Sequence, residues 1–203
     1  MVKWCQIGCA VRISNNEKNQ AVIQLTSEMI AQVKAQVDTT SRNGLYGVPI
    51  KGSKPSNMFD GYCGEIAVAE YLDVPWESEY IQNRAKQGDV MGYQVKTTLR
   101  NDGKLLTNPN KNIHGGAMPA GIYILVTLDS SQQLATIRGW EDSQNLWTAE
   151  LWNADMPTPC FAQDQEHLNP MKHLPDTAQM KSYKASWASW EEVMTRATVA
   201  ANS

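Results

Sequence analysis

Residues 121–128 are a nearly unbroken run of Ile, Tyr, Leu and Val. The run is far shorter than the roughly 20 apolar residues a membrane-spanning helix needs. It is too short for an ordinary helix and shows no polar–apolar alternation, so it is expected to be a strand buried on both faces. A central strand of that kind needs a layer of structure above it and another below. Asp129-Ser130-Ser131-Gln132 reads as a turn, and residues 134–140 as the hairpin partner. The rest of the fold is arranged around this pair.

Two helices are expected before it. Leu25, Met29, Ile30, Val33 and Val37 recur at helical spacing, with Thr26 or Ser27 available as a cap. Residues 39–56 read as a loop, because Gly44, Gly47, Pro49, Gly52 and Pro55 break any period. Residues 56–72 read as a second helix, rich in small residues (Gly61, Gly64, Ala67, Ala69) that let a helix lie close on a sheet. Its stripe Tyr62, Glu65, Ala69, Leu72 places a carboxylate among apolar neighbours, and such a group needs a partner or a metal if it is buried.

Residues 101–118 are polar and Gly/Asn-rich, and read as a long loop. Residues 141–152 look helical, and residues 155–175 irregular, with four prolines. A last helix is expected near residues 189–198, where Ser189 and Glu192 fit a capping box. The order is that of a mixed α/β layer fold, and 203 residues suit one domain with a real core. Its motif-bearing part spans about residues 57–140, followed by a helical extension at about 141–203.

The net charge is −3 and the pI about 5.6. That argues against a passive nucleic-acid coat protein, and less against an enzyme whose acidic cluster is offset locally by a metal. The four cysteines, Cys5, Cys9, Cys63 and Cys160, have irregular spacing. No secretory h-region follows Lys3 and no stretch is long enough to span a membrane, so free thiols in a reducing cytoplasm are expected.

The chemistry concentrates in Asp89-Val90-Met91-Gly92-Tyr93-Gln94-Val95-Lys96. Side chains alternate along a strand, so Gln94 and Lys96 share a face. If Met91-Gly92 is a two-residue hairpin loop, Asp89 lies opposite Gln94 on that same face. Glu65 reaches the patch if the Gly/Ala-rich helix packs on that side. Asp89 and Glu65 offer hard oxygens to Mg²⁺ or Mn²⁺, and the Gln94 amide oxygen and Val95 backbone carbonyl complete the shell. A divalent ion there would polarise a phosphate and activate water. Lys96 would orient that water or neutralise charge developing on the phosphate.

These residues resemble the PD-(D/E)XK nuclease superfamily, the restriction-endonuclease-like fold. Its helix Glu, strand Asp and following (E/Q)-x-K correspond to Gly64-Glu65-Ile66-Ala67, Gly88-Asp89 and Gln94-Val95-Lys96-Thr97-Thr98. The run from Gly92 to Thr98 resembles the motif strand of mismatch-repair nicking endonucleases. The whole arrangement, including the apolar strand and Ile137-Arg138-Gly139-Trp140, is similar to small phage-encoded nucleases. Gly88 stands where the superfamily name has Pro. Gln94 stands where Glu is more common, although some members carry Gln. The resemblance covers roughly residues 57–140. It implies a central mixed β-sheet flanked by helices and Mg²⁺-dependent hydrolysis of DNA phosphodiester bonds, in the host cytoplasm if the chain is phage-encoded. A homodimer would serve to cut both strands.

Arg42, Lys51, Lys54, Arg100, Lys104 and Lys111, together with Arg84 and Lys86, flank the motif in loops and are candidates to contact DNA phosphates. Three other readings compete. The same fold with weak or no catalysis would serve as a DNA-binding or counter-defence protein. Cys63 with His114 would suggest a cysteine hydrolase, but Cys63 sits inside a helix rather than at its start, where the dipole would activate it. Cys160 with His167 and His173 would suggest zinc. The Trp147/Trp152 and Trp187/Trp190 pairs read as core more readily than as base-stacking platforms.

Overall fold

The computed structural model describes residues 14–15, 20–42, 55–76, 89–108, 118–131, 133–175 and 187–199. In chain order these form β1 (Ser14–Asn15), β2 (Ala21–Gln24), α1 (Ser27–Arg42), α2 (Pro55–Leu72), β3 (Gln94–Thr98), β4 (Leu105–Thr107), β5 (Met118–Pro119), β6 (Ile122–Asp129) and β7 (Leu134–Asp142). After these come α3 (Ser143–Leu146), β8 (Trp152–Asn153), β9 (Cys160–Gln163), β10 (Trp187–Ala188) and α4 (Trp190–Val199).

The apolar run becomes β6, buried on both faces up to its last residue. It lies inside a five-stranded sheet of order β1-β2-β7-β6-β3. Only β3 runs parallel to β6; the β6–β7, β7–β2 and β2–β1 pairs are antiparallel. The sheet is therefore mixed, and helices flank it. On one face Ile122, Ile124, Val126 and Leu128 meet α1 and α2 through Met29, Val33, Tyr62, Cys63, Ile66 and Ala67. On the other face Tyr123 and Leu125 pack with Leu105, Leu146, Trp147, Phe161, Leu168 and Val193. A small sheet of order β4-β9-β8 helps cover this second face.

The caps act as their sequences suggest. Met29 N–H donates to Thr26 Oγ1 at 3.3 Å, which starts α1. At α4, Ser189 N–H donates to Glu192 Oε2 at 2.6 Å, and Glu192 N–H donates to Ser189 Oγ at 3.2 Å, a reciprocal capping box.

The structure corrects several expectations. β2 precedes the first helix, where no strand was expected, and pairs with β7 from Ala21 to Gln24. The segment read as one long loop, residues 101–118, contains β4, whose Leu105 is buried and which pairs antiparallel with β9. Residues 141–152 are mostly not α-helix. Glu141 and Asp142 finish β7, α3 is one short turn, and Ala149–Leu151 is a 3₁₀ turn. The stretch read as irregular contains β9, and among the described residues after 140 most are not α-helical. Trp147 lies in the second core and Trp152 packs on Phe161 with ring centroids 4.9 Å apart. The side chains of Trp187 and Trp190 lie outside the described residues.

Candidate active site

The segment entering β3 is a tight hairpin. Val90 and Tyr93 form a bridge, and Tyr93 N–H donates to Val90 O at 2.8 Å. Met91 and Gly92, the two residues between them, have φ of +52° and +91°. Positive φ at both central positions is the turn geometry that matches the natural twist of paired strands. Gly92 adopts it freely, whereas Met91 is strained and half-exposed.

The pairing stops there. Asp89 N–H and Val90 N–H both reach the Tyr93 carbonyl, at 2.7 and 3.2 Å. Two residues thus face one, as in a bulge. Asp89 turns its carboxylate toward β3, and Oδ2 accepts from Val95 N–H at 2.8 Å. A strand residue projects its N–H and its C=O toward the same edge, so the Val95 carbonyl opens toward the edge where Asp89 stands. Among the described strands, β3 is the end of the sheet.

The register settles the faces. Gln94, Lys96 and Thr98 lie beside Tyr123, Leu125 and Thr127, on the second face. Gln94 is 8% exposed and its amide makes no hydrogen bond among the described residues. Among the described residues the unpaired polar side-chain atoms sealed from solvent are Thr97 Oγ1, Thr107 Oγ1 and Trp147 Nε1, so the Gln94 amide, also unpaired there, keeps an opening to solvent. Lys96 Nζ lies 5.8 Å from the centroid of the Tyr123 ring. Burial, and then the charge of Asp89, push the Tyr123 phenol well above its ordinary range, so it stays protonated beside that carboxylate.

Glu65 approaches from elsewhere. Helix α2 lies over the Val95/Thr97 face, opposite Gln94 and Lys96, and a Cβ on Gly64 would meet Thr97 Oγ1 at 2.0 Å. The condition that this helix packs on the Gln94 side is therefore not met. Glu65 follows Gly64 at once, about 100° further round the helix. Its carboxylate accepts from Trp76 Nε1 at 3.3 Å, and the Trp76 ring rests on Tyr62 with centroids 5.8 Å apart.

The basic rim is only partly described. Lys51, Lys54, Arg84, Lys86, Lys111 and His114 lie outside the described residues, as does the side chain of Arg42. Arg100 pairs with Asp102 at 3.1 Å and Lys104 with Asp164 at 3.0 Å. Exposed pairs of this kind are weak, and a phosphate can displace the carboxylate.

Two features escaped the sequence. Arg138 sits at a bulge in the β6–β7 register and turns onto the second face. Its guanidinium donates to Thr127 Oγ1 at 2.7 Å, to Gln20 Oε1 at 3.1 Å and to Asn101. It thereby ties the turn after β3 to the sheet without a carboxylate partner. Tyr123 is the other: it read as strand filling, and it stands against Lys96. A single arginine or tyrosine carries no signal of a neighbour more than twenty residues away.

Cys63 is fully buried. Burial, with a smaller contribution from Asp60, pushes its thiol up to about 12. Cys160, His167 and His173 do not gather: among the described residues no three His, Cys, Asp or Glu side chains form a group able to hold a metal. A cavity of about 350 Å³ lies near the hairpin, lined by Tyr71, Leu72, Val74, Met91, Tyr93 and Met171 among others. It holds none of the candidate site residues. Among the described residues no helix is long and apolar enough to cross a membrane. No protein-family model, curated protein or solved structure matches the chain.

Proposed function

We propose that this chain is a metal-dependent DNA nuclease built on a restriction-endonuclease-like core, a phage-encoded enzyme acting in the host cytoplasm. The observation that carries this reading is the convergence at one end of β3. A tight hairpin turns Asp89 onto the Val95 backbone, the nearly buried Gln94 amide has no hydrogen-bond partner among the described residues, and Lys96 shares the Gln94 face.

The donors suit Mg²⁺ or Mn²⁺, because Asp89, the Val95 carbonyl, the Gln94 amide and Glu65 offer only hard oxygens. When bound, the ion would supply Lewis-acid activation of the phosphate and of water. The chain's own residues do the rest. Asp89 braces the strand edge through Val95 N–H. Gln94 presents a neutral amide rather than a third carboxylate, which lowers the negative charge facing an incoming phosphate. Lys96 brings the positive charge that a phosphoryl centre gains from as it becomes more negative. Trp76 holds one Glu65 oxygen and so limits how that carboxylate swings.

The test is incubation with supercoiled plasmid, with and without Mg²⁺ or Mn²⁺. Metal-dependent nicking that Asp89→Ala abolishes supports the reading. A specific observation favours a second one: α2 packs on the Val95/Thr97 face, so Glu65 is based on the face opposite Gln94 and Lys96. Plasmid binding without cleavage in either metal would make the chain a nuclease-fold DNA-binding or counter-defence protein.

A further inference from the structure

We propose that Tyr123 is a positioning residue for Lys96, the face of its ring holding the ammonium at the Asp89 end of β3. Its consequence for cleavage rests on the nuclease reading; the placement of Lys96 does not.

The argument starts from register. Lys96 is paired with Leu125, while Tyr123 is paired with Gln94, two residues nearer the start of the strand. A lysine standing straight over its own partner would end above Leu125. Instead Nζ lies 5.8 Å from the Tyr123 centroid, within the roughly 6 Å at which a ring face attracts a cation. The ammonium thus meets the ring of its diagonal neighbour, the one nearer the end of β3 where the hairpin presents Asp89. Without the ring, nothing in the strand's own geometry sets that direction.

The ring is well suited to hold it. Tyr123 is 1% exposed, meets Trp147 edge-on at 6.4 Å and 69°, and is flanked in the sheet by Gln94 on one side and Glu141 on the other. It therefore has little freedom to rotate. The Lys96 ammonium lies over the face of that ring. A fixed neutral face steers a cation without cancelling its charge, and that charge is what a phosphate needs from Lys96.

The test uses the full chain with ¹³C-labelled lysine. The Lys96 ε signal is assigned by its loss in Lys96→Arg. In the wild type and in Tyr123→Phe, the Lys96 ε protons should be shifted upfield of the other lysines by the ring current. In Tyr123→Leu they should return to the common position. Phe161→Leu, a change in the same core cluster, should leave them shifted. In plasmid nicking, Tyr123→Leu should lower kcat by roughly tenfold or more with KM and Mn²⁺ affinity held, since small misplacement of a catalytic group is costly; Tyr123→Phe should restore most of it. An unshifted Lys96 signal in the wild type overturns the proposal, and so does a shift that survives in Tyr123→Leu. Should Tyr123→Leu fail to fold, the wild-type and Phe spectra still decide. A shifted signal in a wild type that cuts no DNA supports the placement and sinks the nuclease reading alone.

Discussion

Gly64→Ala probes how α2 is held on the strand that carries the site. An ideal Cβ at Gly64 falls 2.0 Å from Thr97 Oγ1 and 3.1 Å from Thr97 Cβ. Rotating Thr97 moves its hydroxyl but not its Cβ, so the backbone must separate by a few tenths of an ångström. Overpacking of this kind costs about 1–3 kcal/mol. Replacing a helical glycine by alanine returns about 1 kcal/mol of propensity, leaving a net loss of about 0–2 kcal/mol. Gly61 is the internal comparison, because a Cβ there meets nothing within 4 Å; Gly61→Ala should gain most of the propensity term. The two substitutions, one turn apart in α2, should differ by about 1–3 kcal/mol, and a shift of 2–4 °C per kcal/mol is expected for a domain of this size. Thermal and urea melts followed by circular dichroism measure it. Thr97→Ala should rescue only part of the loss, since it removes Oγ1, which has no hydrogen-bond partner, but keeps the Cβ that stands 3.1 Å from the added methyl. Because Glu65 follows Gly64, the displaced helix should lower nicking by more than the stability loss explains. Equal stabilisation by Gly61→Ala and Gly64→Ala would refute the close approach of α2 to β3.

Four further outcomes are expected. Lys96→Ala should retain Mn²⁺ and DNA binding while cleavage falls roughly 100-fold or more; native-rate nicking of plasmid would make the lysine structural. Asp89→Ala should abolish Mn²⁺ binding in isothermal titration and Gln94→Glu should tighten it, because a charged oxygen replaces a neutral one; unchanged affinity in Gln94→Glu would remove Gln94 as a ligand. Met91→Asn should raise the melting temperature slightly, by about 0.5–1 kcal/mol of stability, because asparagine tolerates φ near +52° and Met91 packs little; a fall would refute the strain. Burial raises the Cys63 thiol from 9.0 to about 12, so its neutral form stabilises the fold fully below pH 9. Between pH 9 and 12 the unfolded chain loses this proton first, and that stability is lost as pH rises. The stability of Cys63→Ala should fall less over pH 9–11, and equal slopes in urea titrations would contradict the assignment.

Much of this fold is legible in short stretches of sequence, because the physics there is local. The apolar run of β6, the helical stripe from Met29 to Val37, the Ser189/Glu192 capping box and the glycine that eases a two-residue turn each depend on neighbours within a few residues. The same holds for the shared face of Gln94 and Lys96, which follows from the alternation of a strand. The short strands β2, β4, β8 and β9 were not legible. Two to four residues contain too little period to register, and they are strands because distant partners supply their hydrogen bonds. The face taken by α2 was decided by the fit of Gly64 against Thr97, 33 positions later, and it moved Glu65 to the far side of the sheet from where the motif alone would set it. Tyr123 came to lie against Lys96 in the same way: the register of β3 on β6 brings together residues 27 apart, and spacing within either strand says nothing of it. Local patterns determine which elements form and which way their side chains alternate. Register and helix docking, set by packing between elements far apart in the chain, determine what stands beside Asp89.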